Sequence, residues 1–151
     1  MTEEKGKPEA PVRIVPSEAR PPTKNGGSPP AVAAVRMEAL VLWVIQRVEK
    51  FPRSHKFTVG DRWIDTCLEV QTSLVEATYV RDKRGLLAGA SRGLVRARVL
   101  ARMATALHST SLDQEAHFGR ESTEIGRMVG GWLRSLAHRP ESTSVREERS
   151  S

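Results

Sequence analysis

Apolar residues in the middle of the chain recur with the period of a helix. Met37, Val41, Val44 and Val48 follow one another at spacings of four, three and four, with Leu40 and Ile45 beside them. Such spacing is the stripe of one amphipathic helix. Ser28 stands where an N-cap is expected and Pro29 at the first helical position. Phe51-Pro52 ends this helix, because the residue before a proline avoids the helical region. A second stripe, Ile64, Cys67, Leu68, Leu74, Val75 and Thr78, predicts a helix from Thr58 to about Val80. Thr58-Val59-Gly60-Asp61 has the form of a capping box, with Asp61 in place of the usual Glu or Gln. A third helix is predicted over about 84–108, with Leu86, Ala90, Ala97, Leu100, Ala104 and Leu107 on its core side. The fourth opens at Ser111-Leu112-Asp113-Gln114, a capping box in standard form. Its Phe118, Ile125 and Trp132 recur at sevens, with Met128, Val129 and Leu136 alongside. Strand-like alternation of useful length is missing. Four helices with short connections predict an all-α, antiparallel up-down-up-down four-helix bundle.

The ends of the chain read differently. Seven of the nine prolines lie in residues 1–30, among glycines and mixed charges. Residues 139–151 are similarly polar. Neither stretch holds enough apolar surface to offset the entropy of ordering, so disordered N- and C-terminal tails are expected around a bundle at 31–138.

Charge changes the picture next. Of 151 residues, 24 are Lys or Arg and 18 are Asp or Glu, for a formal net charge of +6 and a pI near 10.1. Such a balance favours polyanionic partners, either nucleic acid or an acidic protein surface. The lone cysteine, Cys67, excludes an internal disulfide and any cysteine-based metal site. The longest apolar run, Leu40–Ile45, is far short of a membrane span, and the charged, proline-rich N-terminus does not resemble a signal peptide. These features lead to the expectation of a cytoplasmic protein without a membrane association.

The strongest candidate surface is on the third helix. Residues 83–102 hold six cations, Lys83, Arg84, Arg92, Arg96, Arg98 and Arg102, and no acid. At about 100° per residue, Arg84, Arg98 and Arg102 share one face and Arg92 and Arg96 another. Between them runs an apolar line, Val95, Val99 and Met103. A solvated charged face is the plain alternative, but an apolar strip bordered by arginines has the composition of a protein interface with a polar rim. Arginine also forks onto phosphate and carboxylate. A second cationic group, Lys50, Arg53, His55, Lys56 and Arg62, surrounds the first connection, with no interleaved exposed aromatics expected for base stacking. Trp43 joins Val95, Val99 and Met103 as a candidate oligomer contact.

Catalytic constellations are missing from the sequence. None of the histidines has a Glu or Asp three residues before it, as a di-metal bundle requires. Asp113 and His117 are four apart but lack further ligands for a metal. Neither a phosphate loop nor a serine elbow is present. Cys67 lies on the core stripe as an inert thiol. The adjacent Gly130-Gly131 is unfavourable inside a helix, and close helix contact, within the bundle or across a subunit interface, is the expected reason. The expectation is therefore a non-enzymatic protein with no cofactor and no metal.

Three motifs carry a family resemblance. Phe51-Pro52-Arg53-Ser54-His55-Lys56-Phe57-Thr58-Val59-Gly60-Asp61-Arg62, Tyr79-Val80-Arg81-Asp82-Lys83 and Glu124-Ile125-Gly126-Arg127-Met128-Val129-Gly130-Gly131-Trp132 occur in that order. Over about residues 36–136 the chain resembles the accessory variability proteins of diversity-generating retroelements. That resemblance implies a four-helix bundle assembled as a barrel-like homopentamer. It implies binding of the element's reverse transcriptase through basic residues and association with RNA or DNA, in support of mutagenic copying of a template RNA into cDNA and retrohoming. It implies no polymerase activity of the chain's own. The implied binding residues are the third-helix cations together with Arg53 and Lys56. A related bundle family, encoded by intervening sequences in bacterial large-subunit ribosomal RNA genes, shares the phenylalanine-proline character of the first connection. A generic protein-interaction scaffold is the alternative from another class.

Overall fold

A computed structural model of the chain describes residues 29–137. The tails expected at 1–30 and 139–151 thus lie outside the described residues, apart from Pro29 and Pro30. Among the described residues there are four long helices and no strand: α1 (Pro29–Val48), α2 (Asp61–Ala77), α3 (Arg84–Ala106) and α4 (Leu112–Ala137). None of these helices is long and apolar enough to cross a membrane.

Each helix buries a series spaced alternately by three and four, the spacing of knobs-into-holes packing. The series are Met37-Val41-Val44-Val48 in α1, Trp63-Cys67-Val70-Leu74-Ala77 in α2, Leu87-Ala90-Leu94-Ala97-Ala101-Ala104 in α3 and Phe118-Ser122-Ile125-Val129-Trp132 in α4. The stripes expected for α1 and α4 match. Those expected for α2 and α3 match in part: Cys67 and Leu74 are buried as expected, and so are Ala90, Ala97 and Ala104. In α2, Leu68 and Val75 are exposed, and the buried line is instead the one containing Trp63, a residue the expected stripe leaves out. In α3, Leu86 and Leu100 are only half-buried, and Leu107, the residue after the helix, is exposed, while Leu87, Leu94 and Ala101 take the core beside those alanines. Trp63 sits at one end of the core, stacked with Phe51 (6.3 Å between ring centroids) and edge-on to Phe118 (5.2 Å) and Trp43 (6.4 Å).

Packing is extensive for α1 with α2, α2 with α3, α3 with α4, and α4 with α1. Along α1, Arg36 reaches Glu121 and Trp43 reaches His117 on α4. Along α3, Leu94 lies beside Gly126 and Arg98 beside Ser122.

The connections explain how the chain gets between these positions. Pro52 starts a helical turn, Arg53–His55, which leads into a π-turn, Lys56–Gly60, and then α2. The capping box expected at Thr58 does not form. The residues before it are already helical, and Thr58 Oγ1 donates back to the carbonyls of Ser54 and His55 (3.3 and 3.2 Å). Gly60 is buried where α1 and α2 meet. A Cβ there would lie 2.7 Å from Val48 Cγ1. The α3–α4 connection is built as expected at its far side: Gln114 N–H donates to Ser111 Oγ (3.1 Å) and Ser111 N–H to Gln114 Oε1 (3.0 Å). On its near side α3 closes with a Schellman motif. His108 takes the left-handed position (φ 64°), its N–H bonding Thr105 O (2.9 Å) while Ser109 N–H bonds Ala104 O (2.8 Å).

Candidate interface on the third helix

The core register of α3 decides what its outer face displays. With Leu87, Leu94 and Ala101 turned inward, Arg84, Arg92, Val95, Arg96, Val99, Arg102 and Met103 are all exposed. The apolar line and its arginine borders are therefore one continuous surface, as the sequence suggests. The helix carries five arginines and no acid.

The cations are not equivalent. Arg96 pairs with Glu69 of α2 (3.2 Å), with both side chains more than half exposed. Such a surface pair contributes little, about 0–1 kcal/mol. Arg98 leans toward α4 and donates to Ser122 Oγ (3.2 Å). Lys83 is half-buried in the turn before α3, where its Nζ donates to Val80 O (2.6 Å) and stands over the Trp132 ring (5.9 Å). It holds the turn together as much as it offers charge. Arg92 and Arg102 make no ion pair among the described residues.

Arg92 and Arg96 line a cleft of about 210 Å³ between α2 and α3, with Glu69, Val70, Ser73, Gly89 and Gly93. The glycines have different reasons. A Cβ on Gly93 would come within 2.5 Å of Val70 Cγ2, so α2 and α3 approach too closely there for any side chain. At Gly85 nothing lies within 4 Å, and at Gly89 only the Arg92 guanidinium (3.9 Å). In α4, Gly130 and Gly131 would meet only the guanidinium of Arg134 (3.7 and 3.8 Å). Close packing within the bundle is thus not the reason for that glycine pair, and α4 runs through it unbroken.

The second cationic group surrounds the π-turn. Arg53 lies over the ring of Phe57 (5.9 Å), Lys56 is half-buried, and His55 Nδ1 is 3.1 Å from Ser109 Oγ, tying this turn to the α3–α4 connection. Phe57 is 60% exposed, so the expectation that no aromatic is interleaved with these cations is corrected. Phe57 borders a cleft of about 540 Å³ whose other lining includes Val59, Asp61, Asp65, Leu100 and Met103. Trp43 is half-buried: its ring meets Trp63 and His117 (4.7 Å), and Arg47 lies over it (5.1 Å). His117 therefore faces Trp43 of α1.

Among the described residues no three His, Cys, Asp or Glu side chains converge to hold a metal ion. Cys67 is buried, and desolvation pushes its thiol up to about 12. A thiol so shifted carries almost no thiolate at neutral pH.

All but the outermost residues of α1 and α4, together with the three motifs and the arginine face, lie inside a single match to known proteins. The family model described as bAvd-like matches residues 31–136. The chain belongs to the bAvd-like family. A search of curated proteins finds no match. The bAvd-like segment starts two residues into α1 and stops one residue before α4 ends, so it covers the whole bundle. It includes the π-turn motif, the turn at Lys83 and the Gly130-Gly131 motif.

Proposed function

We propose that this bAvd-like chain is a non-catalytic accessory protein of a diversity-generating retroelement. It binds the element's reverse transcriptase and template RNA or cDNA in the cytoplasm and supports mutagenic retrohoming. The single observation carrying this reading is the outer face of α3. Five arginines without one acid border an exposed apolar line, on a bundle of this family. The partner numbers that fall on α4 as they rise on α1 and α3 support an up-down-up-down topology. Self-association, as a pentamer by family resemblance, repeats in every subunit the arginines that stay accessible, and weak contacts then combine by avidity.

The experiment is a pair of double variants, Arg92→Ala with Arg96→Ala and Arg98→Ala with Arg102→Ala, each checked for parental helicity and size. Binding is titrated against RNA and against the neighbouring reverse transcriptase at two salt concentrations. Loss of phosphate contacts lowers affinity for RNA and flattens its salt dependence by about 0.7 in log–log slope per contact on single strands. The Arg92/Arg96 variant also frees Glu69 from its partner, so its effect on RNA includes an unpaired carboxylate. The Arg98/Arg102 variant carries no such addition. If both variants bind both partners as the parent does, the face is only a solvated one.

A further inference from the structure

The turning of α2 leaves a surface that its expected core stripe had hidden. Leu68 and Val75, seven residues apart and so on one face, are 42% and 37% exposed. Around them stand Asp61, Asp65, Glu69 and Glu76, all exposed, against the single base Arg62. In a chain of net charge +6 this is an acidic face with an apolar line. The neighbouring helix presents its opposite: Val95, Val99 and Met103, 53%, 37% and 46% exposed, among five arginines. At 1.5 Å per residue the two apolar lines are of similar length, about 10 Å on α2 and about 12 Å on α3. Within one subunit the two faces lie on adjacent helices and meet only along the seam, where Glu69 bonds Arg96 and where Asp65 and Met103 border one cleft.

We propose that the acidic outer face of α2 is the docking surface for the arginine-bordered outer face of α3 from a second copy of this chain. Leu68 and Val75 pack against Val95 and Val99. Arg92 and Arg102, which flank that line and make no ion pair among the described residues, meet Asp65 and Glu76 of the other copy. Charge complementarity selects this occupant. A second α3 would set arginine against arginine, and an acidic partner protein would be repelled by α2. The inference deepens the self-association proposed above by naming both halves of the contact. It assigns Arg92 and Arg102 to the contact between copies and leaves Arg84 and Arg98 for a polyanion.

Charge reversal tests it in the full-length chain. One variant carries Asp65→Arg and Glu76→Arg, another Arg92→Glu and Arg102→Glu, and a third all four. These residues are exposed, so helicity serves as the control for folding. Sedimentation across a concentration series reads association, and RNA binding is read separately. Each two-site variant is expected to associate at least tenfold more weakly, and the four-site variant to recover. Mixing the two weakened variants is expected to give a mixed assembly, since each supplies the face the other lacks. A parent that stays monomeric at high micromolar concentration overturns the inference. So does a parent that associates but is unaffected by either reversal, or a four-site variant and a mixture that both fail to recover. RNA binding that persists through any of these leaves the accessory reading standing while the contact falls. A parent that associates through this contact but binds no RNA shows the converse.

Discussion

α3 and α4 are neighbours of similar length, 23 and 26 residues, yet they fill the core in opposite ways. α4 inserts bulk: Phe118, Ile125, Val129 and Trp132. α3 offers mostly smallness: Ala90, Gly93, Ala97, Ala101 and Ala104, with Leu87 and Leu94 as its only large buried side chains. Small residues let a partner's side chain reach the backbone, as Val70 does at Gly93. α4 thus holds the bundle by what it supplies, and α3 by the room it leaves. The first is vulnerable to truncation and the second to enlargement.

Five substitutions, grouped in three tests, press on that contrast, all read by urea unfolding at one fixed protein concentration, because self-association would otherwise shift the midpoint. The largest effect is expected from Phe118→Ala, which removes a fully buried ring in contact with Trp63. It should lose about 3–5 kcal/mol, while Leu107→Ala at the C-cap of α3, exposed, should change stability by less than about 0.5 kcal/mol. Equal losses at the two sites would break the contrast. Next, Gly93→Ala should destabilise by about 1–3 kcal/mol through overpacking against Val70, despite the gain in helix propensity. Gly85→Ala, on the same helix with open space around it, should stabilise by about 0.5–1 kcal/mol. The pair has opposite signs only if room, rather than propensity, governs α3. The smallest effect is expected at the end of that helix. His108→Gly relieves a left-handed residue in the Schellman motif and should stabilise by about 0.5–1 kcal/mol, unless the imidazole is engaged beyond its own turn.

The same contrast explains what could be read from the sequence. Phe118, Ile125 and Trp132 announce their face because large apolar residues at sevens have few other uses. In α3 five of the seven buried positions are alanines or a glycine: Ala90, Ala97 and Ala104 are legible as core, but their hydrophobicity is too slight to choose between the leucines on either side. Attention then goes to the leucines, and Leu86, Leu100 and Leu107 gave a register one step away from Leu87, Leu94 and Ala101. In α2 two series each obey the helical period. Ile64, Leu68 and Val75 compete with Trp63, Val70 and Ala77. Acids beside the first series, Asp65 and Glu76 among them, were the signal that it faces outward. The arginine surface survived the change of register because its residues lie far enough around the helix from either core line. The exposed apolar line of α2 was illegible for the same reason that its core was misplaced. Of the loops, the Ser111-Gln114 box could be read because its bonds are local. The π-turn could not, since nothing in Lys56–Gly60 distinguishes a wide turn from an α-turn.

That wide turn has a consequence for how the chain tolerates insertion and deletion. A π-turn closes its hydrogen-bonded ring around one residue more than an α-turn, while the helical segments on either side keep a common phase. The surplus is held locally, with Thr58 Oγ1 taking up the carbonyls of Ser54 and His55. Removing one residue between Lys56 and Val59 would leave an ordinary α-turn there, with Trp63 still facing Phe51 and Phe118. The same deletion inside α2 would swing every later side chain by about 100° and carry Gln71 into the buried place that Val70 holds. The π-turn is the place where this bundle can change length by a single residue without being re-indexed.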